Sequence, residues 1–493
     1  MININKKNKF INKTYEFLVL FSMTFGIVVG SGIYLKNSSE DGVLAAAGKN
    51  PYVALAVWIF VGVVACMMML SYIEASKAME KEEHSTLSKF AEKFVNKKWG
   101  SVTAIFFVVC YIPLLTTIGS LFLVHSCFQA IDGFLISTKG KSIDDDLGKQ
   151  TRIILEIVLG IVVLLSIQFL NYKSDKSGKL LQIVCSIVKF IPLIMILIGG
   201  IALYSSGQVS QNAFNSHFEK FKVNHLFSAL IPVLFAFDGF IDSVTLQKDI
   251  EHKEVVAPAM LSGIIACALF YILITVSIFL VSDDGNVLQM FKKYPILSLI
   301  FNLIIVFTLI TSVNAYSNVF TKVIKAALLE NSYLKELKIT DISKNKLHLS
   351  AVLINLITMI VFISISLSVT WNSGSPDYFI ASYYSADTGI LFVFIIYAVI
   401  IGGILNNRRT KKIPVKKIKG GFVLGIITLS LLTFMIIYMY YLGIIDNIVK
   451  FANTKDTSYL IIPILWFLFL IIGLSIYLFN EYKTKKIIKE QSN

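Results

Sequence analysis

Gly26-Ile27-Val28-Val29-Gly30-Ser31-Gly32-Ile33-Tyr34 sits inside an apolar run covering residues 16–35, and its reading decides the fold. Gly costs about 1 kcal/mol against Ala inside a helix, so two glycines flanking Ser31 invite the helix to unwind. Unwinding frees backbone N–H and C=O groups. In hydrocarbon these are tolerated only beside a cavity or other protein. A second run is broken in the same way by Phe235-Ala236-Phe237-Asp238-Gly239-Phe240. Small residues can also serve close helix packing, so the first break alone leaves both readings open. Two breaks five runs apart favour a binding site between corresponding halves.

Working outward, twelve apolar runs follow one another at about 16–35, 51–73, 101–125, 153–171, 180–204, 226–246, 258–281, 295–320, 348–370, 386–405, 420–443 and 459–479. Each is near the length of about 20 residues needed to cross a bilayer. The 493 residues are 56% hydrophobic and 15% charged, with a mean hydropathy of +0.73. A soluble domain carries about 25% charge. The expected fold is an all-α polytopic membrane protein of 12 transmembrane helices. Spans 1–5 and 6–10 form two five-helix inverted repeats, at residues 1–205 and 225–405. Spans 11 and 12, at 420–479, are appended, and spans 1 and 6 are unwound. The whole chain, 1–493, is then a single transmembrane transporter domain.

The net charge of +14 does not mark a nucleic-acid binder. Of the 45 Lys and Arg, 32 fall in the two tails and alternate loops, 12 in the other loops, and Lys189 lies within a run. That asymmetry places both termini in the cytoplasm. The loop 406–419, NNRRTKKIPVKKIK, is the densest example and reads as a topology anchor. Lys6, Lys7, Lys9 and Lys13 precede the first run, but no A-x-A-like cleavage site ends it, so a retained span is expected. The five cysteines form no C-x-x-C pair, and the six histidines lack metal-ligand spacing, so no metal site and no cofactor is expected. No P-loop, G-x-S-x-G or H-E-x-x-H motif occurs, which argues against an ATP-driven pump and against an enzyme.

Three further features bear on chemistry. Asp238 and Asp242 lie within span 6, where a carboxylate is costly and therefore a functional candidate. Asp242 stands near a span end, where simple solvation is an equal reading. Phe235 and Phe237 are placed to cap a cavity, although most of the 37 Phe serve packing. Lys189 sits in the apolar stretch 181–199, roughly 15 Å from the boundary near Lys179 at 1.5 Å per residue, too deep to snorkel with ease. A desolvated ammonium gives up its proton more readily, as a proton-coupling group must. Thr308, Thr311, Ser312 and Asn314 form a polar patch in span 8, suited to lining a cavity or to interhelical hydrogen bonds.

At these residues the chain resembles the amino acid–polyamine–organocation permeases. Residues 26–34 are similar to their first-span G-x-I-I-G-S-G-I-F signature. Residues 235–258, FAFDGFIDSVTLQKDIEHKEVVAP, resemble their sixth span and following loop. Asn171-Tyr172 with Gly178, Lys179 and Gln182 resembles the loop into span 5, and Lys189-Phe190-Ile191-Pro192 the K-x-I-P of proton-coupled members. Asp249-Ile250-Glu251-His252-Lys253-Glu254 departs from their usual E-I-K-N-P-x-R loop. The resemblance covers roughly the first 280 residues. It implies an amino acid substrate whose carboxylate meets the backbone at Gly30, Ser31 and Gly32. The substrate ammonium would meet carbonyls near Val28, Phe235, Ala236 and Asp238, with Gly239 completing the turn and Phe235 as an aromatic gate. Lys189 falls where sodium-coupled cousins bind their ion. The expected function is proton-coupled amino acid symport across the plasma membrane by alternating access. The alternatives are an amino acid or polyamine exchanger on the same fold, and, from another class, a channel or membrane nutrient sensor. Expected partners are an amino acid, a proton and the lipid bilayer.

Overall fold

The computed structural model describes residues 2–30, 32–37, 42–78, 86–174, 187–244, 250–329, 342–371, 376–415 and 417–492. Ser31, residues 175–186 and 245–249, and the side chain of Asp242 lie outside the described residues, as do Gly178, Lys179, Gln182 and Asp249. Among the described residues the chain is built of helices and turns, without strands. Among those residues ten helices are long and apolar enough to cross a membrane. Two shorter apolar helices, Phe190–Ser205 and Val223–Phe237, lie where spans 5 and 6 are expected.

Both expected breaks are present. The first helix, Ile2–Val28, stops, and a short helix, Gly32–Leu35, resumes after it. The sixth, Val223–Phe237, ends at Asp238-Gly239, with Gly239 at φ +91, and Phe240–Val244 continues. A positive φ is nearly free only for glycine, which is why the chain turns there. The helices run past the apolar windows at their polar ends. Span 3 is one continuous 43-residue rod, Lys97–Lys139, widened to a π turn at Phe107–Tyr111 just before Pro113, which has no N–H to offer the ladder. Span 10 runs over Ile380–Thr410, longer at both ends than 386–405.

Spans 3 and 8 pack closely, and a Cβ at Gly119 would come within 2.8 Å of Val313. Spans 1 and 7 also pack closely, with a Cβ at Gly263 3.0 Å from Thr24. Glycine at these crossings brings backbones together, the means by which helices associate in lipid without a hydrophobic drive. Large apolar side chains such as Ile154, Val158 and Val162 on span 4 face outward, as a lipid-facing surface should.

Candidate functional site

The two breaks meet backbone to backbone. A Cβ built on Gly32 would lie 2.8 Å from the Cα of Ala236, so only glycine lets span 1 approach span 6 this closely. Gly30, by contrast, has open space around it, with Val28 O the nearest atom at 3.9 Å. A Cβ added at Gly239 would meet the Ile27 side chain at 3.8 Å. Val28, Gly30, Gly32, Phe235, Ala236, Asp238 and Gly239 are thereby brought to one junction.

Breaking a helix leaves carbonyls without partners. Tyr271 of span 7 supplies one donor to both breaks: its hydroxyl donates to Val28 O at 2.7 Å and to Ala236 O at 3.1 Å. Tyr271 is fully buried and forms an aromatic wedge with Trp58 and Phe237, at centroid distances of 5.2 and 5.4 Å. Phe237 belongs to this wedge, whereas Phe235 stays half-buried.

Lys189 supplies the second donor. Its Nζ donates to Gly26 O at 2.5 Å and to Val29 O at 3.1 Å, and its own carbonyl accepts from Tyr34 at 3.4 Å. Gly26 and Val29 close the helix Ile2–Val28, where unsatisfied carbonyls and the helix dipole carry partial negative charge. An ammonium in that position stabilises the end by up to about 2 kcal/mol in partly buried geometry. A neutral amine would lose that charge-assisted part of the bonding. The broken end of span 1 is therefore bonded to a titratable group on span 5.

Lys189 is not the only such cation. Lys36, one residue beyond the expected end of span 1, is fully buried. This corrects the expectation that Lys189 alone among Lys and Arg lies inside the apolar body. Lys36 Nζ bonds Asp387 Oδ1 of span 10 at 2.7 Å and stands over the rings of Tyr383, at 3.9 Å, and Phe235, at 5.4 Å. Tyr383 and Asp387 are four residues apart on one helix face, so they grip the ammonium together. Asp238 is held from the same helix: Tyr397 OH donates to its Oδ1 at 2.8 Å. At its other end span 10 carries Arg408, which is bound bidentately by Glu74 of span 2. Span 10 is thus bonded to span 1, span 6 and span 2.

The span-8 patch is divided. Thr308 shares a side-chain hydrogen bond with Tyr34, just past the first break, and lies 3.4 Å from Ile304 O, whereas Thr311 returns its hydroxyl to Phe307 O of its own helix. Ser312 is half-buried, and among the described residues no hydrogen bond joins it to either break. No group of three or more His, Cys, Asp or Glu stands together as a metal site among the described residues.

The chain is 26% identical over 263 residues to the serine/threonine exchanger SteT of Bacillus subtilis, across 52% of this chain and 53% of that protein. It is 21% identical over 294 residues to an uncharacterized protein of Mycoplasma pneumoniae, across 53% and 50%. The matched part spans about half the length of each of these curated relatives. Its fold is shared with the crystal structure of MhsT in complex with L-phenylalanine, at a TM-score of 0.55 and 16% identity, over 85% of this chain and 97% of that one. Residues 15–474 match the amino acid permease family, and with its two broken spans meeting at one junction the chain belongs to that family.

Proposed function

We propose that this chain is a secondary transporter that carries amino acids across the plasma membrane with its termini in the cytoplasm, coupled to protons and working by alternating access. The observation that carries the reading is the Lys189 ammonium bonded to Gly26 O and Val29 O. A substrate carboxylate meets the N–H groups at Gly30, Ser31 and Gly32, and its ammonium meets the carbonyl side of the junction. Protonated Lys189 holds the end of span 1. Deprotonation weakens that hold, and the difference biases the outward–inward equilibrium as a ligand does through unequal affinity for two states. Residues 1–205 and 225–405 act as the two repeats that move against each other.

The substrate class follows from Lys36. Asp238 alone favours a cationic amino acid, because a buried carboxylate needs a positive partner. Here Tyr397 donates to Asp238, and the Lys36 ammonium already lies over Phe235. With Asp238 bonded by Tyr397 and Lys36 paired with Asp387, the junction calls for no charge on the substrate side chain. We infer a neutral amino acid.

Exchange is the rival reading, favoured by the similarity to a serine/threonine exchanger. Proteoliposomes containing the purified chain separate the two. A coupled symporter concentrates substrate when an acid-outside gradient is imposed. An exchanger takes it up only against internal amino acid.

A further inference from the structure

The dense cationic loop after span 10 is more than a run of charges. With the ends of spans 10 and 11 it encloses a groove of about 520 Å³, lined by Leu405, Arg408, Arg409, Lys417, Phe422 and Ile426. The groove has two chemical halves. Phe422 and Ile426 are four residues apart on the helix Gly421–Tyr440, so they share one face, and each is 45% exposed. Ile426 lies about 7.5 Å deeper than Gly421 at 1.5 Å per residue. Above them stand three cations. Arg408 is committed: Glu74 binds it, Glu74 also accepts from Ile418 N at 3.0 Å, and Arg408 donates to Ile418 O at 3.1 Å. Gly421 makes room for that guanidinium, since a Cβ there would lie 2.4 Å from it. Arg409 and Lys417 are exposed and have no acidic partner among the described residues.

Two exposed cations over an outward-facing apolar floor, at a membrane boundary, complement a molecule with an anionic head and a hydrocarbon tail. We propose that this groove is a binding site for one anionic phospholipid. Its phosphodiester is held by Arg409 and Lys417, and an acyl chain lies along Phe422 and Ile426. A soluble phosphate compound satisfies only the upper half. A zwitterionic lipid brings its own cation to a site that already has two. The groove wall includes Arg408, so an occupied site also bears on the bond between span 10 and span 2.

The experiment is native mass spectrometry of the full chain, released from detergent in the presence of equal phosphatidylglycerol and phosphatidylcholine. One retained phosphatidylglycerol is expected, favoured on the order of tenfold to thirtyfold, from the attraction of two cations near a membrane surface. Arg409→Ala with Lys417→Ala should bring the preference close to one. Lys411→Ala with Lys412→Ala removes the same charge from the same loop but not from the groove, and should keep it. Phe422→Ala should weaken retention of the lipid. The proposal is overturned if the groove variant retains phosphatidylglycerol like the wild type, or if both double variants lose it equally, which marks diffuse loop charge. It is also overturned if glycerol phosphate displaces the lipid at matched concentration, which marks a site for soluble phosphate.

Discussion

Lys36 and Asp387 lie 351 residues apart in the chain and form one buried ion pair, at 2.7 Å, between the end of broken span 1 and span 10. Neither charge is stable in this apolar body without the other. Removing one partner of a buried pair costs about 3–5 kcal/mol, because the survivor stays desolvated. Lys36→Ala or Asp387→Ala should therefore lower the thermal stability of the purified protein sharply. The double change Lys36→Met with Asp387→Leu should recover much of the loss, since a well-packed apolar pair is often neutral. Single variants that melt with the wild type would mean that the pair is solvated and contributes little.

Tyr271→Phe removes one hydroxyl and leaves Val28 O and Ala236 O without their shared donor. The cost of an unsatisfied buried polar group is about 1–3 kcal/mol. The ring itself and its contacts with Trp58 and Phe237 remain. We expect a folded protein with weakened substrate binding, read as a raised KM for uptake. Unchanged KM and stability would show that the two carbonyls find other partners.

Gly32 tests the contact between the breaks. Its missing Cβ would sit 2.8 Å from backbone, not from the end of a flexible side chain, so even Gly32→Ala has no cheap relief. Gly32→Val should abolish uptake while the protein still reaches the membrane. Gly30, with open space around it, should accept Ala at a much smaller loss. Equal activities for Gly30→Ala, Gly32→Val and wild type would break the account of this junction.

Much of this was legible in the sequence, for identifiable reasons. The breaks at Gly30–Gly32 and Asp238–Gly239 showed because glycine and a carboxylate are costly in an apolar helix and therefore conspicuous. Lys189 showed for the same reason. Lys36 did not, because a lysine one residue past an apolar window looks like any loop residue, and its partner is 351 residues away in sequence. Asp387 sat at the second position of the expected span 10, where a carboxylate reads as boundary solvation. The helix in fact begins at Ile380 and carries Asp387 inward. Tyr271 is one of 21 Tyr, set in an uninterrupted apolar run with nothing to mark it. Pairings that depend on tertiary proximity leave no local trace.

Substrate choice gives a fourth expectation. With Lys36 over Phe235 and Tyr397 on Asp238, neutral amino acids should compete for uptake better than Lys, Arg or ornithine. Inhibition constants from a competition series decide this. Stronger inhibition by the cationic set would return Asp238 to the role of a substrate counter-ion.

Proton coupling rests on Lys189. Its ammonium bonds the carbonyls that end span 1, so its proton should be the one that the transport cycle uses. The direct measurement compares wild type and Lys189→Ala in proteoliposomes, with pH-driven uptake and substrate counterflow measured side by side. The account predicts that an acid-outside gradient drives accumulation by the wild type and no longer does so in Lys189→Ala, while counterflow persists. Accumulation by Lys189→Ala with unchanged pH dependence, or a wild type driven by sodium in place of protons, would contradict it.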